Sequence, residues 1–255
     1  MLEISTLSKQ FGGLKAVTNV STQIDEGRVN AIIGPNGAGK TTFFNLISGM
    51  YRPSAGSIRL RGQDVTGLRA DQMARLGVAR TFQATALFET SSVLENLIVG
   101  HRLRTRSNLW DALLRTSRCK TEERTCRDKA REALDFVGLA HLEAKPAGGI
   151  TQEERKRVAI ALALATDPTL LLLDEPAGGV NPEETDGLAA LIRKIARRGM
   201  TVCLVEHKMS MIMNLADKIM VLDHGEKIAE GTPDAIRKNQ AVIDAYLGSE
   251  HADVQ

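Results

Sequence analysis

A chain of 255 residues that is 43% hydrophobic and 25% charged has the composition of a soluble globular protein, with length for one large domain or two small ones. Its 33 Lys and Arg against 31 Asp and Glu leave a formal net charge of +2, so no global field draws it onto nucleic acid or lipid. The longest apolar stretch, Val158 to Ala165, falls short of the ~20 residues that span a bilayer, and Glu3 stands where a secretory signal would have its apolar core, so a cytosolic chain is expected.

The first ninety residues read as strands and turns around one sharp loop. LEISTLSKQF and STQID predict short strands, VNAIIG is an apolar β-branched run ending in glycine, and GSIRLRG is another short strand between turn glycines. From about Val93 to Leu142 charges dominate, glycine is scarce, and Ala130, Ala133, Leu134 and Val137 recur at helical spacing. That stretch reads as a mainly helical subdomain inserted into the first unit. After Gly148-Gly149, a helix from Glu153 to Ala165 leads into the buried strand TLLLLDE. The helix-like LAALIRKIARRG precedes a second strand, TVCLVEH, and IMVLDHGEKIAEG predicts a hairpin turning at His224-Gly225. Strands alternating with helices argue for an α/β fold, a mostly parallel sheet covered on both faces. Cys203 reads as a small core residue inside its strand. Cys119 and Cys126 lie in the charged helical stretch, and no C-x-x-C spacing points to zinc or a dithiol couple.

Gly34-Pro35-Asn36-Gly37-Ala38-Gly39-Lys40-Thr41 fits G-x-x-x-x-G-K-[ST] without mismatch, between the strand VNAII and the helical FFNLIS, with Thr42 next in line. Glycines let backbone N–H groups turn inward around a β-phosphate, and the following helix N-terminus favours anions. Lys40 would reach β- and γ-phosphate oxygens, and Thr41 would offer its hydroxyl to Mg²⁺. The pattern in this context implies a bound nucleoside triphosphate.

Leu170 to Leu173, followed by Asp174 and Glu175, delivers two carboxylates at the tip of a buried strand, where ligands bind in open α/β sheets. Asp174 would hold Mg²⁺ through its water shell, and Glu175 would orient and deprotonate an attacking water as general base. Lys40 and Asp174 are 134 residues apart with a helical block between them, and no N-K-x-D guanine signal is present, so the nucleotide is expected to be ATP.

These residues resemble the nucleotide-binding subunit of an ATP-binding cassette transporter. Beyond GPNGAGKT and LLLLDEP, the chain has Arg80-Thr81-Phe82-Gln83 at the place of the family's Q-loop. Ala177-Gly178-Gly179-Val180-Asn181 falls at the place of its D-loop, and Glu206-His207 at that of its switch histidine. Phe11, in KQFGGLKAV, sits where the family stacks an aromatic on adenine. FGGLKAV, RTFQ, DEPAGGVNPEE, VEHKM and the ending VIDAYLG are similar to the ATP subunits of branched-chain amino acid importers of the Liv type.

The resemblance covers essentially the whole chain and implies one cassette domain over 1–255. Residues 1–90 and 165–240 would form a RecA-like P-loop NTPase core with an antiparallel β subdomain, about 91–164 the helical subdomain, and 241–255 a tail. It further implies that Gln83 senses the γ-phosphate through Mg²⁺ or the attacking water, and that His207 contacts the γ-phosphate or orients Glu175. The implied partners are a second ATP-binding subunit, identical or more readily a related one, integral membrane permeases and, indirectly, a solute-binding protein. The implied workplace is peripheral, on the cytoplasmic side of the inner membrane, with no nucleic acid bound. An export motor of the lipopolysaccharide-transport type and a soluble cassette ATPase acting on DNA or the ribosome are the alternatives. The helical insertion with Trp110 leans toward import, and the basic run HRLRTR at 101–106 reads as a solvated helix face.

One segment departs from the family. Arg157 to Leu164 fits the helix that follows the family's signature L-S-G-G-Q, which places Ile150-Thr151-Gln152-Glu153-Glu154 on the signature itself. Thr151 keeps a hydroxyl where the family binds the opposing subunit's ATP, but both glycines are gone and Glu153 would bring a carboxylate toward a phosphate. Two readings stand. Thr151-Gln152-Glu153-Glu154 fits a capping box with its acids turned outward, or the chain pairs with a different ATP subunit and the site this segment completes is weakened.

Overall fold

The computed structural model describes residues 1–81, 87–102 and 117–250. In chain order the strands and helices of the first part are β1 (Leu2–Phe11), β2 (Leu14–Ile24), β3 (Val29–Ile33), α1 (Lys40–Ile47), β4 (Ala55–Leu60), β5 (Gln63–Asp64), α2 (Ala70–Arg75) and β6 (Val78–Arg80). Then come α3 (Val93–Arg102), α4 (Ser117–Phe136) and α5 (Gln152–Leu164). The remainder is β7 (Leu170–Asp174), α6 (Pro182–Arg197), β8 (Thr201–Val205), α7 (Met209–Leu215), β9 (Lys218–Asp223), β10 (Glu226–Gly231), α8 (Pro233–Arg237) and α9 (Gln240–Glu250).

Two compact units result: Met1–Arg80 with Thr169–Gln255, and Thr81–Pro168. The first carries both sheets. One is antiparallel, in the order β2-β1-β4-β5, with Leu2 opposite Ile24 and Phe11 opposite Leu14. Its strand β2 begins well before the STQID that the sequence pattern marks. The cause is local: the buried side chains are Val17, Val20 and Ile24, because Asn19 adopts φ 50° where the register with β1 shifts, so the alternation that betrays a strand is broken.

The other sheet runs β10-β9-β3-β8-β7-β6 and is parallel except for the β9–β10 hairpin. That hairpin turns at His224 and Gly225, both with positive φ (46° and 79°), as a two-residue turn matched to strand twist requires. All five residues of β3, of β7 and of β8 are buried, which is why these strands are written as mostly apolar runs rather than alternations. Ile32, Leu170, Leu172, Cys203, Val205, Met220 and Leu222 share one core with Phe43 and Phe44 of α1. Burial pushes the Cys203 thiol far above its ordinary range and keeps it inert.

Helix α6 shows how firmly the local signals act. Asn181 caps it by accepting the Glu184 N–H at 2.9 Å, Pro182 occupies its first turn, and Leu188, Leu191, Ile192 and Ile195 form its buried stripe.

In the second unit α4 buries Cys126, Ala130, Ala133 and Leu134, with Val137 buried just beyond its end. Arg157 of α5 donates to the Val137 carbonyl at 3.0 Å. Gln83 and Trp110, with most of the basic run at 101–106, lie outside the described residues. Among the described residues no helix is long and apolar enough to cross a membrane.

Candidate functional site

Strand β3 delivers the chain to Gly34 at φ 152°, where a Cβ would lie 2.0 Å from the Leu222 carbonyl oxygen. At Gly39, φ is 93° and a Cβ would stand 2.4 Å from the carbonyl of Ala16. Only glycine fits either place, so two of the loop's glycines are required by the fold around them. The Ala38 N–H bonds back to Pro35 at 3.2 Å, the Gly225 N–H donates to Ala38 at 3.1 Å, and the Gly225 carbonyl accepts from Thr18 at 2.8 Å. The hairpin turn and β2 thus shape the loop from outside.

Helix α1 starts at Lys40 with a first turn that carries no acid and no side-chain cap. The Lys40 ammonium donates to the Gly34 and Pro35 carbonyls, each at 2.8 Å, and so lies across the loop. Burial lowers its pKa, against which the negative charge of Glu175 acts. Asn36 and Gly37 are exposed at the tip, Ala38 is buried, Thr41 is exposed and Thr42 half-buried.

Asp174 ends β7 with its carboxylate 2.7 Å from the Arg80 guanidinium, both side chains 9% exposed. Arg80 also donates to Asn45 Oδ1 of α1 and to Ser48 Oγ just past its end, each at 2.7 Å, and stacks 5.1 Å from the Phe44 ring centroid. Planar donors spread over three acceptors are what make a buried pair tolerable. Sequence reasoning quoted Arg80 inside R-T-F-Q but assigned it nothing, since its acceptors lie 35, 32 and 94 positions away.

Glu175 has φ 46°, a left-handed backbone that costs a non-glycine residue on the order of 1–3 kcal/mol and clusters at functional sites. Its N–H is held by the Val205 carbonyl at 3.0 Å, and its own carbonyl accepts from Gly178 at 3.0 Å. Glu175 Oε1 lies 4.0 Å from Nδ1 of the exposed His207. The same Nδ1 lies 3.9 Å from Oε2 of Glu206, which is fully buried. Glu206 and its neighbour Lys208 are further residues that the sequence reading left without a role; an acid closing the apolar run TVCLV was their one visible signal.

The phosphate loop, Asp174, Glu175 and His207 therefore meet at the C-terminal ends of β3, β7 and β8. This is the edge at which open parallel sheets bind ligands. Phe11 stands at the end of β1, its half-exposed ring edge-on to Tyr51 at 5.3 Å and beneath the Lys9 ammonium at 4.9 Å. Thr151 belongs to the other unit. It caps α5: its hydroxyl accepts the Glu154 N–H at 3.2 Å and the Glu154 carboxylate accepts the Thr151 N–H at 2.6 Å. The acids are not turned outward as the capping account supposed, because Glu153 folds onto Arg157 in an ion pair one turn along.

Known proteins resemble this chain over nearly its whole length. The family described as ABC transporter matches residues 17–178, and the one described as branched-chain amino acid ATP-binding cassette transporter matches 226–252. The chain is 43% identical over 249 residues to the high-affinity branched-chain amino acid transport ATP-binding protein BraF of Pseudomonas aeruginosa, covering 97% of this chain and 98% of that one. The corresponding protein LivG of Escherichia coli is 40% identical over the same shares. Among solved structures, an ATP-binding cassette of an ABC transporter in its ADP conformation superposes with a TM-score of 0.86 at 30% identity, over 97% of this chain and 98% of the other.

Proposed function

The chain belongs to the ATP-binding cassette transporter family, and from that membership we propose that it is the ATP-hydrolysing subunit of an importer for branched-chain or other amino acids. The observation that carries the chemical half of this reading is the meeting of the phosphate loop with Glu175 and His207 at one sheet edge, Glu175 on a strained backbone 4.0 Å from the imidazole. The match of residues 226–252 to a branched-chain amino acid transporter family supports import over the export and soluble alternatives.

In this reading the loop's N–H groups and Lys40 receive the β- and γ-phosphates, and Phe11 carries the adenine. The loop fits a phosphate, since α1 begins with no side-chain cap and no acid in its first turn. Thr41, Asp174 and Gln83 are oxygen donors of the kind a hard cation takes, and would hold Mg²⁺ together with its waters. When bound, the cation neutralises charge that develops on the β- and γ-phosphate oxygens. Glu175 takes the proton of the attacking water, and His207 orients Glu175 or the γ-phosphate. A second ATP-binding subunit, permeases and a solute-binding protein complete the assembly, with this chain peripheral on the cytoplasmic face of the inner membrane. Contacts to the γ-phosphate favour a closed arrangement of the two ATP-binding subunits, and their loss on hydrolysis reopens it.

Glu175→Gln keeps the side chain's shape and removes the base. It is expected to bind a fluorescent ATP analogue normally while kcat falls about 10²- to 10³-fold. Near-normal turnover would overturn Glu175 as the base.

A further inference from the structure

The loop that follows Glu175 leaves its strand through a strained backbone, and the turn carrying His207 holds it there. A fully buried carboxylate must have its charge met. Glu206 meets it with three backbone N–H groups: Ala177 at 2.8 Å to Oε1, and His207 at 2.9 Å and Lys208 at 3.1 Å to Oε2. One of its oxygens therefore grips the loop after Glu175 and the other organises the turn that presents the imidazole. Two residues along, the Lys208 ammonium donates to the Val180 carbonyl at 2.6 Å and to Thr185 Oγ1 at 3.1 Å. The same loop is thereby tied at its far end, where α6 begins.

We propose that Glu206 and Lys208 are positioning residues that lock residues 175–180 onto the turn 206–208 and so set the spacing between Glu175 and His207. The proposal rests on the reading of Glu175 as base. Neither side chain is placed to touch ATP; they act through the loop. The phosphate loop contributes nothing to this clamp, so binding and turnover respond separately when it is loosened.

The test uses the full chain with Glu206→Gln, Lys208→Met and Lys208→Arg. In Glu206→Gln an NH₂ replaces one accepting oxygen, so one of the two grips is lost. Because small displacements of a reacting group cost up to about 10²-fold, Glu206→Gln is expected to lower kcat at least about tenfold, and Lys208→Met about three- to tenfold. KM and the affinity for a fluorescent ATP analogue stay within about twofold, and Lys208→Arg, which keeps donors for Val180, recovers most of the rate. Hydrogen exchange at the amides of Ala177, His207 and Lys208 speeds up in Glu206→Gln, while the loop at 34–39 is unchanged. An unaltered kcat in both loss variants beside an inactive Glu175→Gln sinks the clamp, as does a fall in ATP affinity that accounts for the whole loss. Should Glu206→Gln fail to fold, the Lys208 pair decides. Should Glu175→Gln turn over normally, the reading of the site fails, and the exchange rates then judge the clamp alone.

Discussion

Two helix starts in this chain are built on opposite plans. At α1, Gly39 has no side chain to offer, no side-chain hydrogen bond closes the first turn and no acid sits in it. At α5, Thr151 and Glu154 satisfy each other's backbone N–H groups, and Glu153 and Glu154 add two carboxylates to the first turn. A helix N-terminus always leaves N–H groups wanting acceptors. The first helix start meets none of them with a side-chain cap, whereas the second meets the Glu154 N–H with the Thr151 hydroxyl. In the proposed reading, the first start is open to a phosphate that the two acids of the second would repel.

Several substitutions break or sharpen that contrast. The largest effect is expected from Gly39→Ala, which forces a Cβ to 2.4 Å from the Ala16 carbonyl and should cut ATP binding and turnover about 10²-fold by displacing the loop. Gly37→Ala is the matched control. Its φ is 78° but nothing lies within 4 Å of the added Cβ, so only backbone strain is incurred and the loss should stay near tenfold. Equal losses in the two variants would show that crowding by β2 is not what shapes the loop.

Thr151→Ala removes the cap of α5 and should destabilise the chain by about 1 kcal/mol, read as a lower urea midpoint at unchanged slope. If its stability held and turnover of the assembled transporter collapsed instead, the hydroxyl would be serving a ligand and the two helix starts would be alike after all. The smallest effect belongs to Glu153→Gln. Losing its pair with Arg157 should cost about 0.3–0.5 kcal/mol, visible as a slight drop in melting temperature. A rise in turnover of the assembled transporter would mean that the charge of Glu153 is felt beyond its own helix.

What could be seen in the sequence was whatever is local. The loop at 34–41, the acids closing β7, the turn at His224-Gly225 and the α4 stripe of Ala130, Ala133 and Leu134 each follow from neighbours a few positions apart, and each stands where that pattern put it. Strand β2 was half hidden because a single residue, Asn19, interrupts its alternation. Arg80 and Glu206 could not be assigned because their meaning is their partners: a guanidinium joining α1 to β7, and a carboxylate joining two loops 29 positions apart. Nor does any pattern announce that Glu175 has a left-handed backbone, since glutamate has no preference for it.

The turn at His224-Gly225 has a further consequence. Gly225 hands its N–H to Ala38 and takes one from Thr18, so the phosphate loop takes a brace from a residue made long after the loop itself. A chain emerging from the ribosome carries the complete glycine motif early, yet cannot set it in final form until the late hairpin arrives. A nascent chain stopped before the β9–β10 hairpin would therefore present the motif without this brace.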